Sequence, residues 1–243
     1  MNEIMNDFSQ WMKQTTGLSD SSIYKYSRAV INISKDMHKI GVIRKQLYEM
    51  NSIELDLAIQ LILKNVDFID KNNRGNNMYS SSLKQFRCYR INTEEANLNQ
   101  SALDVIKKDT SISITERESL IKSRVGQGTF RSALLEKYHC SCVVTGITIK
   151  SLLIASHIKP WSVCSNEERL STENGLLLCA NYDKLFDSGL ISFDDNRKII
   201  VSRYVDEANK KRLFLSKDIF ANITISNEMK HNFEYHRDVV FLK

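Results

Sequence analysis

ASHIKPW (residues 155–161) and ENGLLLCANYDKLFDSG (residues 173–189) are the two stretches that decide the fold of this chain. The first places His157 at the edge of a short apolar run, and the second supplies Asn174 and two aspartates, Asp183 and Asp187. Short apolar runs bounded by turn signals predict strands, and helical positions i and i+4 share one face. A lone histidine on an apolar segment is more often a core residue. The combined pattern, however, predicts a strand with His157, a strand or loop with Asn174, and a helix that presents both carboxylates on one side.

This order of strand, loop and helix resembles the ββα-metal nucleases. The segments SHIKPW, NGLLL and DKLFD, at these distances, closely resemble the HNH family of nucleases, in particular the branch found in bacterial restriction enzymes. The resemblance covers residues 120–243 and includes GQGTFR, CVVTG and EYHRDVVF. It implies an α+β fold in which a ββα-metal nuclease domain with flanking helices hydrolyses phosphodiester bonds of double-stranded DNA.

The same resemblance implies a role for each residue of the pattern. His157 corresponds to the general base that activates water, and Asn174 to the residue that braces the loop and orients the histidine through hydrogen bonds. Asp183 and Asp187 correspond to metal ligands on the helix, and two acids without a helical histidine favour Mg²⁺ or Mn²⁺ over Zn²⁺. Many members carry Asp or His directly before the base as a further ligand, whereas this chain has Ser156. Asp187 has the alternative role of a carboxylate at the end of a helix.

The cysteines raise the question of a second metal. Many HNH proteins hold a structural zinc ion on two CxxC pairs. Cys142 and Cys179 occupy the leading position of each pair, but Thr145 and Tyr182 replace their partners. Buried thiols are the simpler interpretation, so no structural zinc is expected. Five cysteines at irregular spacing also argue against a disulfide framework and favour reduced thiols or a metal site.

Two basic residues near the pattern are candidates for phosphate contacts. Lys159 lies two residues beyond His157, and Arg131 in GTFR matches a recurrent arginine of the same nuclease branch. A structural salt bridge is an equally good interpretation of each. The glycines of GQGTFR predict a tight turn before a helix, since the segment lacks the lysine of a phosphate-binding loop.

The N-terminal half is predicted to be helical, because the chain contains one proline and eight glycines. Ser19 or Asp20 can cap a helix with a buried stripe, and SIELDLAIQLILKNVDFI fits a second helix. YSSSLKQFRCYRI fits a third, on which Leu83 and Phe86 turn inward. The buried stripe of the first helix comprises Ile23, Tyr26, Val30, Ile33 and Met37; that of the second comprises Ile53, Leu57, Leu61 and Val66.

On the third helix, Lys84, Arg87 and Arg90 recur every three residues and predict a basic face for DNA, or simply a solvated one. The order GLSDSSIYKYSRAV, aliphatic helix, SSSLKQFRCYRI resembles the helical core-binding domain of tyrosine recombinases, which clamps DNA. We therefore expect three parts: residues 1–95 as a helical DNA-recognition domain, 96–119 as a linker with at most one short helix, and 120–243 as the nuclease domain.

Composition sets the remaining expectations. A formal charge of +5 permits a nucleic-acid partner, and no apolar run approaches the roughly 18 residues of a membrane span. The N-terminus lacks the pattern of a secretory signal, so a cytoplasmic protein is expected. Cutting both strands of a palindrome favours a homodimer. The leading hypothesis is a restriction enzyme; the alternatives are an inactive HNH scaffold that binds DNA, or a nonspecific nuclease toxin.

Overall fold

A computed structural model describes residues 3–109, 111, 113–216 and 218–243. These residues are mostly helical and contain two two-stranded antiparallel sheets. The contacts divide the chain into two compact units, Met1–Glu94 and Glu95–Lys243. The α+β class is therefore confirmed in its broad form, while the roles of the separate parts remain proposals.

The first unit is built from helices around one apolar core. The helices are α1 (Glu3–Thr15), α2 (Asp20–Lys39), α3 (Ser52–Lys64), α4 (Val66–Arg74) and the start of α5 (Met78–Lys108). Ser19 caps α2 as predicted, because its side chain accepts a hydrogen bond from the Ser22 backbone N–H. Ile23, Val30, Ile33 and Met37 of α2, and Leu83 and Phe86 of α5, are buried in the core, which confirms these stripes.

The prediction for the buried face of the second helix is wrong. Ile53, Leu57, Leu61 and Val66 are 67%, 60%, 55% and 69% exposed. Leu55, Ala58, Ile59 and Ile62 are buried instead, and Val66 begins the separate helix α4. SIELDLAIQLILK carries aliphatic residues on both sides of the helix, so two apolar stripes compete and packing selects one.

The expectation of at most one short helix in residues 96–119 is also wrong. Helix α5 continues to Lys108, and α6 (Ile114–Lys137) begins with a capping box formed by Ser113 and Glu116. Helix α6 runs straight through Gly126 and Gly128, so the predicted turn at GQGTFR does not form. A Cβ on Gly128 would lie 2.8 Å from the side-chain Nδ2 of Asn99, so glycine leaves room for that side chain.

The second unit contains the strand and helix order that the sequence predicts. Strand β1 (Leu153–His157) pairs antiparallel with β2 (Gly175–Cys179), with His157 opposite Gly175, and α8 (Ala180–Asp187) follows and packs on both strands. A short helix, α7 (Asn166–Leu170), lies between the strands in the chain. The remaining elements are β3 (Ile191–Phe193), β4 (Ile199–Val201), α9 (Glu207–Arg212) and α10 (Asn227–Tyr235), which continues as one π-helical turn, His236–Val240.

Candidate active site

His157 ends strand β1 and is held between aromatic rings. Its imidazole stacks on Phe130 of α6 with ring centroids 3.9 Å apart, and the edge of the ring meets Trp161 at 5.3 Å. Opposite His157 in the sheet, Gly175 has no room for a side chain, because a Cβ there would lie 2.7 Å from Phe130 and Leu134. The glycine lets α6 approach the sheet closely enough to support the histidine.

The hydrogen bond of His157 fixes which ring nitrogen can act as a base. Nε2 lies 3.0 Å from the backbone carbonyl oxygen of Arg169, which can only accept, so Nε2 carries the proton. Nδ1 of the neutral ring then keeps its lone pair, and no described residue forms a hydrogen bond with it. Partial burial lowers the pKa of His157 below its usual range, against the opposing effects of the Arg169 carbonyl and Asp187. The ring is therefore neutral near pH 7.

Asn174 braces the loop between the two strands. The side chain is fully buried, and Oδ1 accepts a hydrogen bond of 2.8 Å from the Lys159 backbone N–H. Nδ2 donates to the carbonyl oxygens of Lys159 and Glu168, at 3.3 Å each, and to Cys164 Sγ at 3.2 Å. None of these bonds reaches the imidazole. Asn174 instead fixes the backbone beside Arg169, whose carbonyl holds His157.

Asp183 and Asp187 lie one turn apart on α8 and, with His157, line a cavity of about 630 Å³. Burial raises the pKa of Asp183, the negative charge of Asp187 adds to this effect, and the positive charge of Lys184 opposes it. Partial burial also raises the pKa of the more exposed Asp187, which Lys184 and His157 counteract. The residues predicted to bind metal and the predicted base therefore share one cavity.

The donors present suit a hard cation. No group of three or more His, Cys, Asp or Glu side chains within the described ranges could hold a metal ion by itself. Asp183 and Asp187 nevertheless offer two carboxylates, and a bound cation would stabilise their ionised forms, which burial disfavours. Mg²⁺ or Mn²⁺ commonly completes its coordination shell with water and phosphate oxygens. The Ser156 hydroxyl beside them is buried and has no hydrogen-bond partner within the described residues. The site thus fits such an ion with two protein carboxylates.

The two basic residues predicted to contact phosphate near the site form ion pairs within the second unit. Lys159 Nζ lies 2.6 Å from Glu168 and does not line the cavity. Arg131 donates to the Leu153 carbonyl oxygen at 2.7 Å and forms a salt bridge with Glu95 at 3.2 Å. The structural alternative therefore describes their contacts better than DNA binding does.

The predicted basic face on α5 does not form as a unit. Lys84 is exposed, but Arg87 is only 5% exposed and pairs with Asp56 of α3. Arg90 is partly buried and donates to the Met50 carbonyl oxygen at 2.8 Å. The prediction that Lys84, Arg87 and Arg90 form one solvent-facing basic row is thus wrong for Arg87. A spacing of three residues places side chains near one another on a helix, but it does not show whether another helix covers them.

Cys142 and Cys179 are free, buried thiols close to Thr145. Cys142 Sγ accepts hydrogen bonds from the backbone N–H groups of Cys179 at 3.2 Å and Thr145 at 3.5 Å. A hydrogen bond from the Cys179 thiol lowers the pKa of Cys142 to about 5, whereas the pKa of Cys179 is raised. Among the described cysteines, the expectation of reduced thiols is confirmed for Cys142, Cys164 and Cys179 and is wrong for the other two.

Sequence reasoning missed the residues that position His157. Phe130 supplies the stacking surface, and Arg169 supplies the orienting carbonyl. The aromatic residue of GTFR was a detectable signal, since it lies within the motif. The Arg169 contact has no sequence signal, because any residue can offer a backbone carbonyl.

The paired strands β1 and β2, the following helix α8 and the cavity lined by His157, Asp183 and Asp187 have the order and grouping that the sequence predicts. In a comparison with protein families, residues 142–194 match the family model described as HNH endonuclease. The match contains His157, Asn174 and both aspartates. A comparison of the chain with curated proteins finds no significant match. None of the described helices combines the length and apolar character needed to cross a membrane.

Proposed function

We propose that the protein is a metal-dependent DNA endonuclease in which His157 is the general base. The observation that carries this proposal is the cavity that three side chains line together. His157 contributes a neutral imidazole whose Nδ1 is available, and α8 contributes the carboxylates of Asp183 and Asp187. Hydrolysis of a phosphodiester requires removal of a proton from water and compensation of charge on the phosphate.

Each protein group has a distinct task in this proposal. Nδ1 of His157 accepts the proton from the attacking water, while the Arg169 carbonyl keeps Nε2 protonated and fixes the ring. The imidazolium formed is stabilised by Asp187, whose charge raises the pKa of His157. Asp183 and Asp187 would hold Mg²⁺ or Mn²⁺, which supplies positive charge for the phosphate and the departing 3′ oxygen.

A plasmid assay tests this proposal. Wild type is compared with His157→Ala, Asp183→Asn and the control His231→Ala, whose histidine is exposed on α10. In Mg²⁺ or Mn²⁺ the wild type and the control are expected to convert supercoiled plasmid to nicked and linear forms, and the two site variants to lose at least about 100-fold activity. Equal cleavage by His157→Ala would overturn the role of the base.

We further propose a restriction enzyme that acts as a homodimer on a palindromic site. This finer proposal draws on the resemblance of the HNH segments to restriction enzymes and on the need for two active sites to cut two strands. The helical first unit is the proposed recognition part. Discrete fragments from plasmid and a dimeric mass on DNA by light scattering are expected, whereas a smear would favour a nonspecific nuclease.

An inactive DNA-binding scaffold is the second candidate, and Ser156 favours it, because a hydroxyl replaces a common metal ligand. Calorimetric titration of Mn²⁺ into the protein with an uncleavable duplex separates the two. A nuclease is expected to bind the ion with loss of binding in Asp183→Asn. A scaffold is expected to bind DNA with no response to Mn²⁺.

A further inference from the structure

A second cavity, of about 540 Å³, lies beside the site and is here called the Arg169 cavity. Both cavities are lined by Trp161, which also contacts the edge of His157. The Arg169 cavity is formed by one face of α6 and by α7. Its polar lining comprises Ser119, Lys122, Ser123, Asn166 and Arg169.

The two cations in this lining are not used in salt bridges with any described carboxylate, unlike Lys159 and Arg131. Arg169 is held in place by neutral groups: Nε donates to the Trp161 carbonyl oxygen at 3.1 Å and Nη1 to Asn166 at 3.3 Å. Its guanidinium lies 4.9 Å from the centre of the Trp161 ring. Nη2 is therefore left to bind an anion, on a side chain that is already ordered.

Helix α6 adds a flexible cation and two hydroxyls to the same cavity. Ser119, Lys122 and Ser123 are spaced i, i+3 and i+4, so they share one helix face. Lys122 is exposed. A guanidinium, an ammonium and two hydroxyls form a donor set that suits phosphate oxygens. A stacked base is a poorer fit, because Arg169 already covers the ring of Trp161.

We propose that the Arg169 cavity binds a backbone phosphate next to the scissile one. This inference rests on the proposed function and names the contact that places the substrate. Arg169 couples the two positions, since its side chain binds the neighbouring phosphate while its backbone carbonyl orients His157. A strand bound in the Arg169 cavity thus lies beside the general base.

Fluorescence anisotropy with a labelled 20-base-pair duplex in EDTA, at several salt concentrations, measures the contact. Lys122→Gln and Arg169→Gln are expected to weaken binding about tenfold each and to reduce the slope of log K against log salt by about 1. Arg169→Lys should keep most of that slope, because it keeps the charge. Lys211→Gln, an exposed lysine on α9 outside both cavities, is the matched control and should bind like wild type.

Plasmid cleavage by the same proteins separates the two proposals. Wild-type binding and slope in both Gln variants, with cleavage retained, would overturn the phosphate subsite and leave the nuclease intact. Weakened binding in these variants, with no cleavage by wild type in any metal, would support a phosphate contact and overturn the nuclease. A wild type that does not bind the duplex overturns the subsite.

Discussion

At the scale of single residues, the site depends on groups that accept or donate hydrogen bonds in a buried loop. The amide of Asn174 both accepts and donates hydrogen bonds, and its four bonds reach Lys159, Cys164 and Glu168. His157, the proposed general base, depends on this loop only indirectly, through the backbone carbonyl of Arg169. Residue-level variants should therefore affect folding and catalysis to different extents.

Asn174→Ala is expected to destabilise the second unit by about 3 kcal/mol, because the buried Lys159 N–H loses its acceptor. Urea unfolding in a Trp11→Phe background measures this loss, since Trp161 then reports on the second unit alone. The control Asn181→Ala removes an exposed asparagine of α8 and should change stability by less than about 0.5 kcal/mol. Equal stability of the two variants would contradict the bracing role.

Arg87→Gln tests whether the α5 arginine serves the fold rather than DNA. Asp56 keeps little exposure, and burial already raises its pKa despite Arg87, so removing the cation leaves a costly buried carboxylate. The free energy of unfolding of the first unit is expected to fall by about 3 kcal/mol. Trp11 fluorescence during urea unfolding, in a Trp161→Phe background, measures this loss. The exposed Lys84→Gln is the control and should unfold like wild type. Unchanged stability in Arg87→Gln, together with weaker DNA binding, would support the prediction that Arg87 contacts DNA.

At the scale of elements, the contact between α6 and strand β2 positions the imidazole of His157. Phe130 reaches His157 only because Gly175 leaves space between helix and sheet. Gly175→Ala is expected to cost about 2 kcal/mol through overpacking and to reduce cleavage by displacing the histidine. Gly17→Ala is the matched control, because no atom lies within 4 Å of a Cβ there. Urea unfolding together with plasmid cleavage checks both effects, and full activity in Gly175→Ala would contradict them.

Elements also show where pattern reasoning succeeds and where it fails. The caps of α2 and α6 and the β1, β2, α8 order follow from local signals of a few residues. The buried face of α3 does not, because its two aliphatic stripes are equivalent until neighbouring helices cover one of them. The turn predicted at Gly126 and Gly128 also does not form, because glycine permits a turn without requiring one and both positions lie inside α6.

At the scale of the whole molecule, the π-helical turn His236–Val240 packs on the second unit through the buried side chain of His236. His236 stacks on Phe186 at 3.8 Å, Nε2 donates to the Phe186 carbonyl oxygen at 3.1 Å, and Nδ1 accepts from the Ser192 hydroxyl at 3.0 Å. Burial lowers the pKa of His236 to about 4; the charge of Arg237 acts in the same direction and the Phe186 carbonyl opposes it. The folded chain therefore favours the neutral ring.

This pKa predicts the pH dependence of stability. Between the ordinary histidine pKa of about 6.5 and the folded value of about 4, the unfolded chain binds a proton that the folded chain excludes. The contribution of His236 to the free energy of unfolding should thus fall by about 3 kcal/mol as the pH drops from about 6.5 to about 4, and should not fall further at lower pH. Urea unfolding of wild type and His236→Gln gives the difference, and the exposed His231→Gln should retain the wild-type slope. Parallel pH profiles for wild type and His236→Gln would rule out this contribution.

The sequence by itself determined the order of β1, β2 and α8, the cap of α2, and the spacing that places His157, Asn174, Asp183 and Asp187 on these elements and the loop between them. These features depend on backbone periodicity and on neighbours a few residues away. Only the tertiary structure decided that Arg87 pairs with Asp56, that Lys159 pairs with Glu168, and that Arg169 holds His157. Such contacts join residues 9 to 31 positions apart, and no local periodicity specifies which distant group a side chain will meet.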